Sequence, residues 1–259
     1  VIQKRNFKKY FKKKKESALI MRKQTKLVAV LSTAALLAIG ASMTSFAATG
    51  WAEEDGTWVY YNRDGERATD QWKKSGNNWY WLDSNGEMAI DQLIEDGDNY
   101  YYVDINGVMA ANQWVAIDNE DAGEDDEPDH YWYYFQANGK AYKRSDSASD
   151  TSISAKTING KKYAFDTDGR MLYGWVDAGE RQTDDDAWKT CQYYFGDEDD
   201  GAMSEGWRLI SITDDEAEDA QPGDEFWDED QDRWFFFQAS GKKKAAKDGE
   251  SYTDKTING

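Results

Sequence analysis

The sequence predicts an all-β fold, a solenoid of tandem β-hairpin repeats with long acidic loops. Three observations predict it. Trp51, Trp72, Leu93 and Trp114 recur every 21 residues, and Gly65, Gly86 and Gly107 keep the same period, as do Trp58, Trp79 and Tyr100. A fixed period shared by several landmarks marks a repeat architecture. Between the landmarks lie short aromatic runs bounded by turn residues, such as Trp58-Val59-Tyr60-Tyr61, Trp79-Tyr80-Trp81-Leu82 and Tyr100-Tyr101-Tyr102-Val103, which read as strands. The 259 residues also contain 12 Trp, 16 Tyr and 10 Phe, few aliphatic side chains and 31% charged residues, so burial must rest on aromatic rings rather than on a layered aliphatic core.

The elements follow in chain order. Residues 1–20, with Lys12 to Lys15 and no Met, read as an upstream misread of the start or an extension of a basic n-region. Residues 21–47 read as a secretory signal peptide. Met21-Arg22-Lys23-Gln24-Thr25-Lys26 is the basic start, residues 27–41 are an apolar run, and Ser45-Phe46-Ala47 resembles a small-residue cleavage site. The run is shorter than the ~20 apolar residues a spanning helix takes, so no stable membrane span is expected after cleavage. Residues 48–116 hold the regular 21-residue hairpins, each a strand, a turn, a second strand and a tight connection. Asp55-Gly56, Ser75-Gly76 and Asp96-Gly97 mark the turns, and Asn85-Gly86 and Asn106-Gly107 mark the connections, because these residues tolerate positive φ. Strand alternation sends Trp79 and Trp81 to one face and Tyr80 and Leu82 to the other. Both faces then need cover, which stacked neighbouring hairpins supply.

Residues 117–259 keep the signature but stretch it. Trp132-Tyr133-Tyr134-Phe135, Tyr163-Ala164-Phe165, Tyr193-Tyr194-Phe195 and Trp234-Phe235-Phe236-Phe237 are the same second strand. From Trp114 to Trp132 is 18 residues where the early units use 7, and from Trp207 to Trp234 is 27. The insertions fall in the hairpin loops and are acidic, with 8 acids in residues 117–130 and 11 in residues 213–233, so they are expected to be solvated or disordered. Small polar spacers at 145–156 and 247–255 lead into two copies of Thr-Ile-Asn-Gly, the second ending at Gly259. A chain that stops inside a repeat reads as part of a longer product.

Composition excludes several chemistries. One cysteine, Cys191, and one histidine, His130, cannot supply a Cys/His zinc site, and His130 sits in an acidic stretch unsuited to a preorganised base. They read as a strand residue and a loop residue; an exposed Cys191 could cross-link two chains. Residues 48–259 carry 20 basic and 49 acidic residues, a body that repels phosphate backbones, so nucleic acid is not an expected partner. Asp104-x-Asn106-Gly107 and Asp166-x-Asp168-Gly169 echo part of a calcium loop but lack its remaining ligands, so they read as turns. No cofactor and no metal site is expected.

The unit Gly-Trp, a Gly turn, Trp-Tyr-Tyr, then Gly-x-Met resembles the choline-binding or cell-wall-binding repeat of Gram-positive surface proteins, in its expanded-loop variant. Trp72 to Met88 and Gly174-Trp175 to Met203 match best. The resemblance implies a spiral of hairpins with ligand, choline or sugar, held between consecutive hairpins by aromatic walls. It carries the candidate site onto Trp51 with Trp58, Trp72 with Trp79, Trp114 with Trp132, and Trp175 and Trp207, with Trp81 or Tyr102 as the wall supplied by the next hairpin. Met88, Met109, Met171 and Met203 hold the Gly-x-Met position, where Arg67, Ala141 and Lys243 depart from it, and Leu93 replaces a first-strand Trp. An Arg beside a cation pocket is repulsive, so fewer pockets than hairpins are expected, the best between Trp72, Trp79 and the Tyr100 unit. The implied function is a secreted, non-catalytic wall protein attached to choline-substituted teichoic acid or another wall polysaccharide. The alternative is the targeting module of a larger wall-active enzyme, an amidase or a glycosyltransferase.

Overall fold

The computed structural model describes residues 49–123, 127–148, 153–213 and 230–245. The segments read as the upstream extension and signal peptide, the centre of the second acidic insertion, and the terminal Thr-Ile-Asn-Gly lie outside the described residues. The described chain is a series of antiparallel hairpins: β1 Gly50–Glu54 with β2 Thr57–Tyr61, β3 Gln71–Ser75 with β4 Asn78–Leu82, β5 Gln92–Asp96 with β6 Asn99–Val103, and β7 Gln113–Asp118 with β8 His130–Phe135. Then come β9 Lys156–Ile158 with β10 Lys161–Tyr163, and β11 Gly174–Asp177 paired on one side with β12 Glu180–Arg181 and on the other with β13 Tyr193–Phe195. The last pair is β14 Gly206–Thr213 with β15 Asp230–Phe237. A four-residue helix, α1 Ala187–Thr190, is the one helix among the described residues. The fold is an all-β array of tandem hairpins, and it divides into two compact units, one ending at Ala110 and the other beginning at Ala111.

Turn chemistry sets the register. Asp55 and Gly56 both take positive φ, as do Asn159 and Gly160, the conformation of a type I′ turn. In the second and third hairpins Ser75 pairs with Asn78 and Asp96 with Asn99, so the loop residues are Gly76-Asn77 and Gly97-Asp98. That is one residue later than the sequence reading. Here Gly stands first in the loop, at φ 58° and 59°, as a type II′ turn requires.

Each second strand ends in the same connection. The Asp83 carboxylate accepts the backbone N–H groups of Asn85 and Glu87 at 2.8 Å, and the Gly86 N–H donates to Asp83 O. Asp104 and Asp166 do the same for Asn106 with Val108 and for Asp168 with Arg170. The apparent calcium-loop fragments are therefore Asx turns whose carboxylates already hold backbone donors. The chain then bridges back to its own strand, Leu82 to Met88, Val103 to Met109, Phe165 to Met171 and Phe195 to Met203.

That bridge also ties each hairpin to the one before. Met88 N–H donates to Trp58 O at 2.8 Å and Met109 N–H to Trp79 O at 2.9 Å in the first unit. In the second unit Met171, Met203 and Lys243 donate to Trp132, Lys162 and Gln192. Within each unit the hairpins thus stack as solenoid neighbours. In five of the hairpins the final residue of the second strand is the deepest point: Leu82, Val103, Phe135, Phe195 and Phe237 are fully buried.

The insertions are more ordered at their bases than their charge suggests. Asp118 pairs with His130, which places His130 in a strand rather than a loop, and Asn119 Nδ2 donates to Glu127 Oε2 at 3.0 Å. The β14/β15 ladder runs out to Thr213 and Asp230, taking residues assigned to the acidic loop into the sheet. In the Trp175 unit the insertion folds back as β12, across an Ala178-Gly179 turn, and as α1. Cys191, next after α1, is 1% exposed, which rules out the exposed thiol needed to cross-link chains.

Candidate functional site

The strand pleat decides which rings meet. On four hairpins the first-strand Trp and the aromatic opposite it on the second strand share a face, and the following hairpin turns an aromatic toward them. Trp51 meets Tyr60 at 5.4 Å between ring centroids and Tyr80 at 5.3 Å. Trp72 meets Trp81 at 5.3 Å and Tyr101 at 5.1 Å. Trp114 meets Tyr134 at 5.1 Å and Tyr163 at 4.8 Å, and Trp175 meets Tyr194 at 5.0 Å and Phe235 at 5.1 Å. Most of these contacts are edge-to-face or tilted, the arrangement the ring quadrupoles favour.

This corrects the wall assigned to the following hairpin. Tyr80, not Trp81, faces Trp51, and Tyr101, not Tyr102, faces Trp72, because neighbours in a strand point to opposite faces. Trp81 belongs to the cluster of its own hairpin, and the Tyr102 hydroxyl instead donates to Asp91. The alternation that identifies Tyr80 and Tyr101 is legible in the sequence. Tyr60, Tyr134 and Phe235 follow from the same rule.

In the second hairpin Trp72, Lys74, Trp79 and Trp81 lie on one face, with Trp72 opposite Trp81 and Lys74 opposite Trp79. Trp72 and Trp81 are half-buried against the Ala89, Ile94 and Val103 cluster, whereas Trp79 is 39% exposed, with Lys74 Nζ 5.7 Å from its ring centroid. The Trp72 indole donates to Asp96 Oδ2 at 3.1 Å, which holds a carboxylate beside Trp72 and Tyr101. Burial and the Asp96 charge raise the Tyr101 pKa. An aromatic surface with a fixed anion beside it suits a cation without hydrogen-bond donors.

The remaining candidates divide by exposure. Trp58 is half-buried and its carbonyl holds Met88, Trp132 donates its indole N–H to Asp199 Oδ1 at 3.1 Å, and Trp207 is 51% exposed and packs on Phe236 at 5.3 Å. Met109 bridges to Val103. Met88 and Met203 pack onto the next connection: the Met88 methyl lies 2.9 Å from where a side chain on Gly107 would begin, and the Met203 sulfur is closer still to that point on Gly241. Arg67, the expected repulsive neighbour, is instead tied to Glu54 and to the Tyr61 hydroxyl.

A separate cavity of about 350 Å³ in the second unit is lined by Glu127, Tyr131, Arg144, Asp166, Arg170 and Arg181, among others. The Arg170 guanidinium lies 4.3 Å from the Tyr131 ring centroid. Burial pushes the Asp166 carboxyl up to about 6, against the pull of the Arg170 N–H and charge. Its charges are mixed, and its two tyrosine rings, Tyr131 and Tyr173, are already covered by the guanidinium groups of Arg170 and Arg181.

A stack of hairpins with ring clusters between them defines a repeat-built protein whose surfaces recur with the repeat. Residues 48–92 and 71–114 match the choline-binding repeat model. Residues 48–114 therefore carry choline-binding repeats. No curated protein matches it. Among solved structures it is similar to the modular autolysin LytC from Streptococcus pneumoniae, at 21% identity and TM-score 0.45, over 76% of this chain and 33% of that one. It is similar to choline binding protein F of the same species at 23% identity and TM-score 0.45, over 78% and 54%. The choline binding domain of Spr1274 in Streptococcus pneumoniae is similar at 33% identity and TM-score 0.28, over 37% of this chain and 95% of that one. The chain thus spans a third of the autolysin's length and about half that of choline binding protein F.

Proposed function

We propose that the protein is secreted and attaches, without catalysing a reaction, to a choline-bearing polymer of the bacterial cell wall. The observation that carries this reading is the Trp72, Trp79, Trp81 and Tyr101 surface with Asp96 beside it, inside residues that match the choline-binding repeat model. A trimethylammonium group offers no hydrogen-bond donor, so ring faces and a nearby carboxylate are the means of holding it, at ~0.5–2 kcal/mol per ring. One such site binds in roughly the millimolar range, about −4 kcal/mol. Several sites engaging one polymer supply retention through effective concentration.

The test is titration of the whole chain with choline, following Trp fluorescence, with glucose oligomers in parallel. A saturable response to choline that is lost in Trp79→Ala, while that variant keeps its circular dichroism spectrum, supports the reading. A response to the glucose oligomers alone would reassign the same surfaces to wall polysaccharide.

A further inference from the structure

We propose that Lys243 is a tethered cation that fills the aromatic box between the β11–β13 sheet and the β14/β15 hairpin, closing that box to external cations. Lys243 stands at the Gly-x-Met position, and its N–H donates to Gln192 O at 2.7 Å, as Met88 N–H does to Trp58 and Met203 N–H to Lys162. By that bond Gln192 holds the place that Trp58 holds in the first hairpin, so the strand itself has lost a ring here. The inserted helix supplies another: Trp188 lies 6.3 Å from Phe235, which with Tyr194 flanks Trp175.

A Met at this position reaches toward the next connection, as Met203 does toward Gly241. Lys243 instead brings its ammonium 5.1 Å from the Trp175 ring centroid and 6.0 Å from that of Phe235. The same ammonium donates to the carbonyls of Trp188 and Lys189, the latter at 3.3 Å. These lie at the end of α1, where the Ala187 carbonyl accepts the Cys191 N–H, and the ammonium donates to the carbonyls that follow it in this last turn. Burial brings the Lys243 pKa down to about 8, with Asp177 and Cys191 opposing the shift, so the side chain remains charged at pH 7 despite its desolvation. A charged group held by two rings and two carbonyls excludes a second cation from the same space by repulsion and by volume. Lys74, by contrast, reaches over Trp79 from an exposed position and can swing away.

This inference rests on the proposed cation binding by the equivalent clusters, and the experiment separates the two. The full chain and Lys243→Met are titrated with choline chloride while the indole N–H signals of Trp72 and Trp175 are followed by NMR. The expected result is a Trp72 signal that shifts in both proteins and a Trp175 signal that shifts saturably only in Lys243→Met, with half-saturation within tenfold of that at Trp72. A Trp175 signal that titrates in the unmodified chain, or that stays fixed in the folded variant, overturns the plug. A silent Trp72 with a responsive Trp175 in the variant leaves the plug standing and removes the wall-binding reading. Should Lys243→Met lose the β14/β15 hairpin, Lys243→Gln, which keeps a donor for the carbonyls and drops the charge, is read by the same criteria.

Discussion

Trp72 and Trp79 share a face, yet they have different work. Trp72 packs against Trp81 and Tyr101 but is half-buried, so Trp72→Ala is expected to cost about 2–3 kcal/mol in chemical denaturation, less than a fully buried ring. Trp79 is 39% exposed; its truncation is expected to cost under about 1 kcal/mol of stability while weakening choline binding by about 1–2 kcal/mol, read by fluorescence titration. A second residue-scale expectation concerns Asp166, whose carboxyl sits at about 6 in the fold against an ordinary 3.8. The folded state therefore binds the extra proton between those values, and this group's contribution to stability is fully present below about pH 4 and lost as pH rises through 6. Asp166→Asn keeps the oxygen that accepts the Asp168 and Arg170 N–H groups and removes the titration. Denaturation midpoints at pH 4 and pH 7 should show the variant gaining on the parent as pH rises; equal gaps at both would refute the assignment. The recurring Trp are legible in the sequence as ring positions, but the resemblance puts Trp81 or Tyr102 on the facing wall where strand alternation gives Tyr80 and Tyr101. The Asp96 bond to Trp72 was not legible, because it joins residues 24 apart across two hairpins.

At the scale of elements, each layer rests on one buried ring or aliphatic group and one tight connection. Phe195 is 0% exposed and packs with Leu172, Val176 and Met203, so Phe195→Ala is expected to lower stability by about 3–5 kcal/mol, measured by urea unfolding. Gly241 carries φ 83° and faces the Met203 sulfur, so Gly241→Ala adds both a left-handed strain of ~1 kcal/mol or more and a clash. Loss of amide protection in β14/β15 measures that effect, and Met203→Ala in the same chain should restore part of it by removing the clash. Turn dipeptides mark every regular hairpin, but at Gly76 and Gly97 they put the loop centre one residue earlier than the strand pairing does. A Gly after Ser or Asp fits either position, and only the pairing of Ser75 with Asn78 and Asp96 with Asn99 decides. The charge of the Trp175 insertion reads as solvation, whereas the positive-φ Ala178-Gly179 turn returns the chain as β12, with α1 beyond it.

For the whole molecule, the period made the architecture readable and the composition named the material of its core. What the period could not show is which clusters differ in use, since Lys243 in place of Met looks like decay until its ammonium is found over Trp175. Repetition predicts that retention on an immobilised choline-bearing polymer exceeds the affinity for free choline by about 10²-fold or more, and that free choline elutes the protein. A column assay that finds equal affinities would refute polymer engagement at several sites. The paired Met and Gly of successive connections carry a further consequence. Met171 leans over Gly201 and Met203 over Gly241, so the two halves of each interlock belong to different repeats. A cut between them strands a protruding thioether on one side and an empty notch on the other. Duplication or grafting therefore preserves the seam only when the transplanted cassette is a whole number of repeats, entering behind one notch and leaving with its own protrusion ready for the next.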